Sequence, residues 1–170
     1  MDPSRDPDPF TPDGVVWTRV SDQLTTLRRL LLAGWLVAGV LLAALAVWII
    51  EPPRPLAWLL LTAGVALAAL ALGWRAVGRT VRAWGYTERD ADLLVRRGVL
   101  FRELVVVPYG RMQFVDVQTG PLRRALGIAT VQLHTAAAAT DAHIPGLTTA
   151  EAARLRDRLA ALGEAQAAGL

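Results

Sequence analysis

The sequence predicts a membrane α-helical hairpin followed by a small α+β domain, in which short strands form a barrel or curved sheet capped by a C-terminal helix. Three observations support this fold class. Apolar residues are concentrated between residues 30 and 74. From Trp84 onward, short runs rich in Val, Leu, Phe and Thr alternate with turn residues, and the last segment has apolar residues at helical spacing.

Two uncharged stretches predict the transmembrane helices. Residues 30–50 and residues 56–74 contain no Asp, Glu, Lys or Arg. An α-helix rises about 1.5 Å per residue, so about 20 apolar residues cross the hydrocarbon core of a bilayer. The connection at residues 51–55 is short and Pro-rich, which makes the two helices antiparallel neighbours joined by an external loop.

The positions of the arginines predict a plasma-membrane protein with both termini in the cytoplasm. Three arginines closely precede the first span and three follow the second, whereas the loop has one arginine offset by a glutamate. Cytoplasmic flanks carry the excess of basic residues. The three that follow the second span, in a basic juxtamembrane linker at residues 75–83, are also candidates for contact with anionic lipid: Arg75, Arg79 and Arg82. Their effect on topology alone is the alternative explanation.

The segments before the first span have two different characters. Residues 1–14 are rich in Pro and Asp and predict a disordered tail. Residues 15–29 place apolar side chains at helical spacing and predict an interfacial lead-in helix. Within it, Ser21 or Asp22 is the expected N-cap of the helix that runs into the membrane.

Small residues within the spans predict close helix packing. Gly39 and Ala43 lie four residues apart in the first span, as do Gly64 and Ala68 in the second. Such pairs let two helix backbones approach each other. The partner is either the other span of the hairpin or a helix of another protein.

The soluble domain is predicted to occupy residues 84–163. Gly98 is expected to supply a positive φ at a tight turn between two strands. A change of phase after Met112 indicates a β-bulge, residues 121–127 predict a helical turn, and residues 136–139 predict a loose loop. The predicted strands are residues 93–100 (a hairpin), 103–108, 112–119 and 128–135.

The C-terminal helix has both a start signal and an apolar face. Thr148 and Glu151 form a capping box. Gly163 is expected to end the helix, leaving residues 164–170 as a frayed tail. The apolar stripe that would face the sheet consists of Ala152, Leu155, Leu159 and Leu162.

The order of short segments in the domain carries a family resemblance. The segments are Tyr86-Thr87 with Asp90, LVRRG at 94–98, VPYGRMQ at 107–113, VQ at 117–118, PLRR at 121–124, GIATV at 127–131 and IPGL at 144–147. With the two preceding spans, this series resembles the bacterial pleckstrin-homology (PH)-like membrane protein family, YdbS-like. The resemblance implies a PH-type barrel of about seven strands closed by a C-terminal helix, and some members of the family look like parts of membrane complexes that protect against antimicrobial peptides.

No catalytic, metal or cofactor site is predicted. The sequence has no Cys, which excludes thiolate ligands and cysteine nucleophiles. His134 and His143 lie on neighbouring predicted strands, but two imidazoles without a third ligand make a poor metal site. Asp90 and Asp92 are expected to stabilise a turn rather than to act as general acid or base.

Four arginines at predicted turns are the candidate head-group or partner surface. Guanidinium pairs bind phosphate or carboxylate groups, although solvated turn charges are the simpler interpretation. The net charge of +3 gives no reason to expect a nucleic-acid partner. The candidate residues are Arg96, Arg97, Arg123 and Arg124.

The functional prediction is a non-catalytic membrane-anchored module without a cofactor. It is expected to act as a scaffold or as a subunit of a membrane complex, binding a partner protein, a second copy of itself or anionic lipid head groups. Envelope stress and antimicrobial-peptide resistance are the processes that the resemblance suggests. The alternative is a subunit of an enzyme that acts on lipid or cell-wall material.

Overall fold

The computed structural model describes residues 15–50, 54–136 and 141–167. The chain divides into a soluble unit, made of residues 1–24 together with 80–170, and a membrane unit of residues 25–79. The predicted disordered tail at 1–14, residues 51–53 of the external loop, most of the loop at 136–139 and residues 168–170 lie outside the described residues.

Two long helices contain the predicted spans. Helix α1 comprises Asp22–Ile50 and helix α2 comprises Pro55–Arg82. Their most apolar 18-residue windows have mean hydropathies of 2.6 and 2.2, and no part of either window is buried by protein. Both helices are therefore long and apolar enough to cross a bilayer, in agreement with the prediction of two transmembrane helices.

Contacts inside the membrane unit differ from those predicted. A Cβ atom added to Gly39 or Gly64 would meet no atom within 4 Å, so the prediction that the two spans pack closely against each other at these glycines is wrong. Contact with a helix of another protein stays a prediction. Gly73 packs instead against the side chain of Leu32, whose Cδ2 atom lies 2.6 Å from the position of an added Cβ. The larger side chains that surround each glycine in a helix decide which small residue is approached, and spacing alone does not give this information.

The first sheet of the soluble unit has four antiparallel strands. They pair in the order β1-β2-β3-β4, and each strand is hydrogen-bonded to its neighbour in sequence. We call this sheet A. Its strands are β1 (Thr18–Arg19), β2 (Gly85–Glu88), β3 (Asp92–Arg97) and β4 (Glu103–Pro108).

Strand β1 replaces the first part of the predicted lead-in helix. Thr18 pairs with Tyr86 of β2, and the backbone N–H of Ser21 donates to the carbonyl of Gly146 at 2.8 Å. These long-range bonds keep the chain extended, and α1 begins only at Asp22, with the Ser21 hydroxyl accepting the Gln23 N–H at 3.3 Å as an N-cap. The membrane hairpin is therefore inserted between two paired strands, and the domain predicted at 84–163 also includes residues that precede the first span.

The second sheet, sheet B, has three antiparallel strands in the order β5-β6-β7. A short helix α3 (Pro121–Ala125) connects β5 to β6, as predicted. The predicted bulge is also present, because the β5–β6 register shifts between Met112 and Phe114. The strands are β5 (Met112–Gln118), β6 (Ile128–Thr135) and β7 (Ala142–Thr148).

Helix α4 (Thr149–Ala167) closes the soluble unit. The Thr148 hydroxyl accepts the Glu151 N–H at 3.2 Å, which confirms the start of the helix. Leu155 and Leu159 are fully buried, as the stripe predicts. The predicted end at Gly163 is wrong because this glycine packs near the side chain of Met112 and the helix continues. Two apolar helices, antiparallel sheets and a closing helix together agree with the PH-like fold that the resemblance implies.

Candidate functional site

The turn between β3 and β4 is longer than predicted. Gly98 has a φ of +94°, as expected, but β4 begins at Glu103 and not directly after the glycine. A side chain at Gly98 would collide with the carbonyl of Phe101, so the turn folds tightly over the glycine. We call residues 98–102 the hairpin tip.

The hairpin tip exposes three consecutive apolar side chains. Leu100 and Phe101 are each 91% exposed, and Val99 is 44% exposed. Most of the Leu and Val residues of strands β3 and β4 are less exposed, and Leu93 and Val107 have no exposed surface. The tip is thus apolar where a soluble hairpin would ordinarily have polar turn residues.

An ion pair closes the base of the hairpin tip. Arg97 and Glu103 are cross-strand partners, and the Nε and Nη2 atoms of the arginine donate to the two carboxylate oxygens at 2.8 and 2.9 Å. These hydrogen bonds lower the pKa of Glu103 below its usual value. The bidentate geometry aligns the last residue of β3 with the first residue of β4.

Arg97 also contacts two rings of the soluble unit. Its Nη1 atom lies 3.4 Å from Nδ1 of His143, and its guanidinium carbon lies 5.9 Å from the centroid of the Trp84 ring. The rings of Trp84 and His143 are themselves 5.1 Å apart. Arg97 therefore helps to hold β3 to β7 in addition to carrying surface charge.

Arg96 lies on the opposite face of sheet A, because side chains alternate along a strand. Its guanidinium carbon is 4.4 Å from the centroid of the Trp17 ring. Burial and, to a smaller extent, the nearby charge of Arg19 lower the pKa of Arg96. The two adjacent arginines of the predicted site thus point to different surroundings.

Arg123 lies on the same face of the soluble unit as Arg97, whereas Arg96 lies on another face. Its Nη1 atom donates to the Thr130 hydroxyl at 3.1 Å. Thr130 lies two residues from Gln132, the cross-strand partner of His143, so Arg97 and Arg123 reach the same face of the β6–β7 pair. Arg124 lies in exposed α3. The four predicted arginines thus occupy two faces of the soluble unit, and ligand binding by them stays a prediction.

The predicted juxtamembrane linker is helical. Helix α2 continues to Arg82, so residues 75–82 extend the second span as helix. Arg75, Arg79 and Arg82 are all exposed on these last turns. Their contact with anionic lipid stays a prediction.

A buried acidic residue that sequence reasoning missed links α4 to sheet A. Glu88 has a side chain only 12% exposed and forms ion pairs with Arg154 at 2.9 Å and Arg158 at 3.0 Å. Beside it, burial and, secondarily, the charge of Glu151 raise the pKa of Tyr86 to about 12. The i, i+4 spacing of the two arginines was the signal in the sequence.

The remaining polar candidates do not converge. The ring of His134 stacks on that of Phe114 with centroids 4.3 Å apart, and its Nδ1 atom lies 3.4 Å from Oδ2 of Asp141. His143 packs instead against the ring of Trp84. Within the described residues, no group of three His, Cys, Asp or Glu side chains is placed to hold a metal ion.

Asp92 of the predicted turn pair is engaged in a local ion pair. Its carboxylate accepts hydrogen bonds from Nε and Nη2 of Arg89 at 2.7 and 3.1 Å. The backbone N–H of Arg89 also donates to the Asp92 carbonyl at 2.9 Å, which closes the turn between β2 and β3. This arrangement matches the structural role expected from the sequence.

Comparison with known proteins gives a family match over most of the chain. Residues 24–163 match the family model described as "Bacterial PH domain". The UPF0699 transmembrane protein YdbS of Bacillus subtilis (strain 168) is 37% identical over 81 residues, which cover 48% of this chain and 50% of that protein. The alignment thus spans about half the length of this curated relative. No solved structure matches significantly.

Proposed function

The chain belongs to the bacterial PH domain family, and from this premise we propose that it is a non-catalytic, membrane-anchored module of a membrane complex. It acts as a scaffold or subunit by binding a partner protein or anionic lipid head groups. The family match begins within α1 and ends within α4, so it includes both spans and the soluble domain. This supports a role in which anchor and module work together.

The observation that carries the proposal is the exposed apolar surface of the soluble unit. Large apolar side chains left exposed on a soluble domain are candidates for protein or membrane interaction. Between residues 80 and 167, six such side chains are each at least 41% exposed, although the unit buries many others. They are Val99, Leu100, Phe101, Val106, Phe114 and Leu122.

The charged groups near this surface support a binding role over a catalytic one. Glu88 is enclosed by two arginines of α4, and Glu103 is bound by both donor nitrogens of Arg97. The hydrogen bonds from Arg97 lower the pKa of Glu103, so this carboxylate is a poor proton acceptor. These residues stabilise the fold, and the exposed apolar side chains are what the unit offers to a partner.

The proposed orientation has both termini in the cytoplasm, which puts the soluble unit on the cytoplasmic face of the plasma membrane. The excess of arginine on the flanks of the two spans supports it. A reporter enzyme active only outside the cytoplasm, fused after Leu170, is expected to be inactive. Activity of that fusion would contradict the orientation. We also propose that the membrane complex to which this chain contributes acts in envelope stress or antimicrobial-peptide resistance.

Purification of the tagged full chain from membranes in mild detergent tests the function. We expect a partner protein at stoichiometric yield, or a second copy of the chain. Phe114→Ser is expected to lower that yield, whereas Val16→Ser, which also changes an exposed apolar residue, serves as the matched control. An isolated chain that turns over a lipid or cell-wall substrate would overturn the proposal in favour of an enzyme subunit.

A further inference from the structure

The hairpin tip lies at the end of sheet A where the chain joins the membrane helices. Arg19 pairs with Gly85, and Gly85 pairs with Arg96, so these three residues form one end of the sheet. The chain leaves this end toward α1, which begins at Asp22, and returns to it from α2, which ends at Arg82. The turn after β3 therefore projects from the same end of the sheet as both connections to the spans.

The tip is held in a defined shape. Its first residue has a φ that favours glycine, and the Arg97–Glu103 ion pair fixes the base. In this turn Leu100 and Phe101 are each 91% exposed. Two adjacent large apolar side chains presented to water on a short turn are unfavourable unless another apolar phase receives them.

Basic residues surround the base of the tip. Four arginines and one glutamate lie at this end of sheet A, which gives the surface an excess of positive charge. An apolar tip on a basic base matches the chemistry of a bilayer surface that contains anionic lipid. The residues are Arg19, Arg96, Arg97, Arg102 and Glu103.

We propose that the hairpin tip inserts Leu100 and Phe101 into the anionic leaflet of the membrane that holds the two spans. This inference rests on the proposed function and specifies its lipid-binding part. Because the chain already ties the soluble unit to that membrane, insertion is an intramolecular event and needs little intrinsic affinity. The tip then provides a further point of attachment that fixes the orientation of the soluble unit on the bilayer.

Site-specific fluorescence in proteoliposomes tests the proposal. The chain contains no Cys, so Phe101→Cys provides a single site for an environment-sensitive fluorophore. The matched control is Ala91→Cys, which lies in the exposed turn between β2 and β3 at the opposite end of sheet A. In bilayers of phosphatidylglycerol and phosphatidylcholine with brominated acyl chains, the label at position 101 is expected to be quenched severalfold more strongly than the label at position 91.

Three results would overturn the proposal. Bromine quenching at position 101 that is as weak as at position 91 would show that the tip stays in water. A spectral shift at position 101 that requires a high protein-to-lipid ratio, without bromine quenching, would identify a second copy of the chain as the occupant. Quenching at position 101 that is as strong in bilayers of phosphatidylcholine alone as in bilayers with phosphatidylglycerol would show that the contact does not require anionic lipid.

A second variant separates this proposal from the function on which it rests. Leu100→Ser with Phe101→Ser changes only exposed side chains and is expected to leave the fold intact. Val106, Phe114 and Leu122, which lie outside the tip, are unchanged in this variant and are the exposed apolar side chains that remain for a partner protein. Co-purification of a partner in detergent is therefore expected to persist, and its loss would assign the tip to protein binding and overturn the bilayer contact. If the label at position 101 is quenched by lipid but the chain co-purifies with no partner, insertion of the tip is supported and the proposed membrane complex is contradicted.

Discussion

Truncating two leucines of α4 is expected to destabilise the soluble unit strongly. Leu155 and Leu159 have no exposed surface, and each Leu→Ala change in a packed core costs about 2–5 kcal/mol. The two residues are one helical turn apart, so their effects do not add simply, but a combined loss of at least about 4 kcal/mol is expected. Domains of this kind are stable by only about 5–15 kcal/mol. The double variant Leu155→Ala, Leu159→Ala therefore loses a large part of the stability of the soluble unit, and most of it if that stability is near the lower end of this range.

The assay is urea unfolding of the full chain in detergent, read by brief digestion with trypsin, which cleaves after the arginines of the unfolded unit. With a urea dependence of about 1–3 kcal/mol per molar, the expected fall in midpoint is at least about 1 M. Leu122→Ala, at a residue 59% exposed, is the matched control and should leave the midpoint unchanged. The chain should still fractionate with membranes. A double variant that unfolds at the parent midpoint would show that α4 is not part of the core.

Three further variants test individual contacts by the same urea midpoint. Gly98→Ala should lower the midpoint, because the positive φ costs about 1–2 kcal/mol and a Cβ would also collide with the carbonyl of Phe101. Gly120→Ala, with open space around it, should leave the midpoint unchanged. Glu103→Gln should lower it at neutral pH. The difference from the parent should vanish in acid, because the ion pair with Arg97 lowers the folded pKa of Glu103 and its stabilisation is lost as pH falls through that pKa. Leu24→Ala should destabilise the soluble unit, since this residue is buried against Gly146; an unchanged midpoint would exclude residues before the first span from its core.

The sequence was most informative where one physical requirement dominates. A bilayer admits only long uncharged helices, so residues 30–50 and 56–74 could be assigned without tertiary information. The same holds for β6, where Val131 and Leu133 alternate with polar residues because one face of the strand is buried. In both cases the pattern is local and repeated over many residues.

Strand β1 could not be predicted because its conformation is set from far along the chain. Two residues, Thr18 and Arg19, are too few for a periodic signal, and their neighbours favour a helix by spacing. Their pairing with Tyr86 and Gly85 outweighs that local preference. Helix α4 likewise continues past Gly163, which lies near Met112 of β5, to Ala167.

The candidate arginine surface is harder to predict, because the position of an arginine in the sequence does not show which group its side chain contacts in the folded protein. The adjacent residues Arg96 and Arg97 were read as one basic patch, yet strand alternation sends one to Trp17 and the other to Glu103 and His143. The predicted hairpin at 93–100 makes Val99 and Leu100 the start of a strand, whereas β4 begins at Glu103 and leaves residues 99–101 exposed in the turn.

The insertion of the membrane hairpin between β1 and β2 has a consequence for the order of events during synthesis. Thr18 leaves the ribosome well before its partner Tyr86, and at about 5–20 residues per second the delay is several seconds. During this interval the translocation machinery handles both spans while β1 has no strand to pair with. Completion of sheet A then requires that both ends of the hairpin emerge on the same side of the bilayer, so a chain with only one span inserted leaves β2 without its neighbour and exposes an unpaired strand edge.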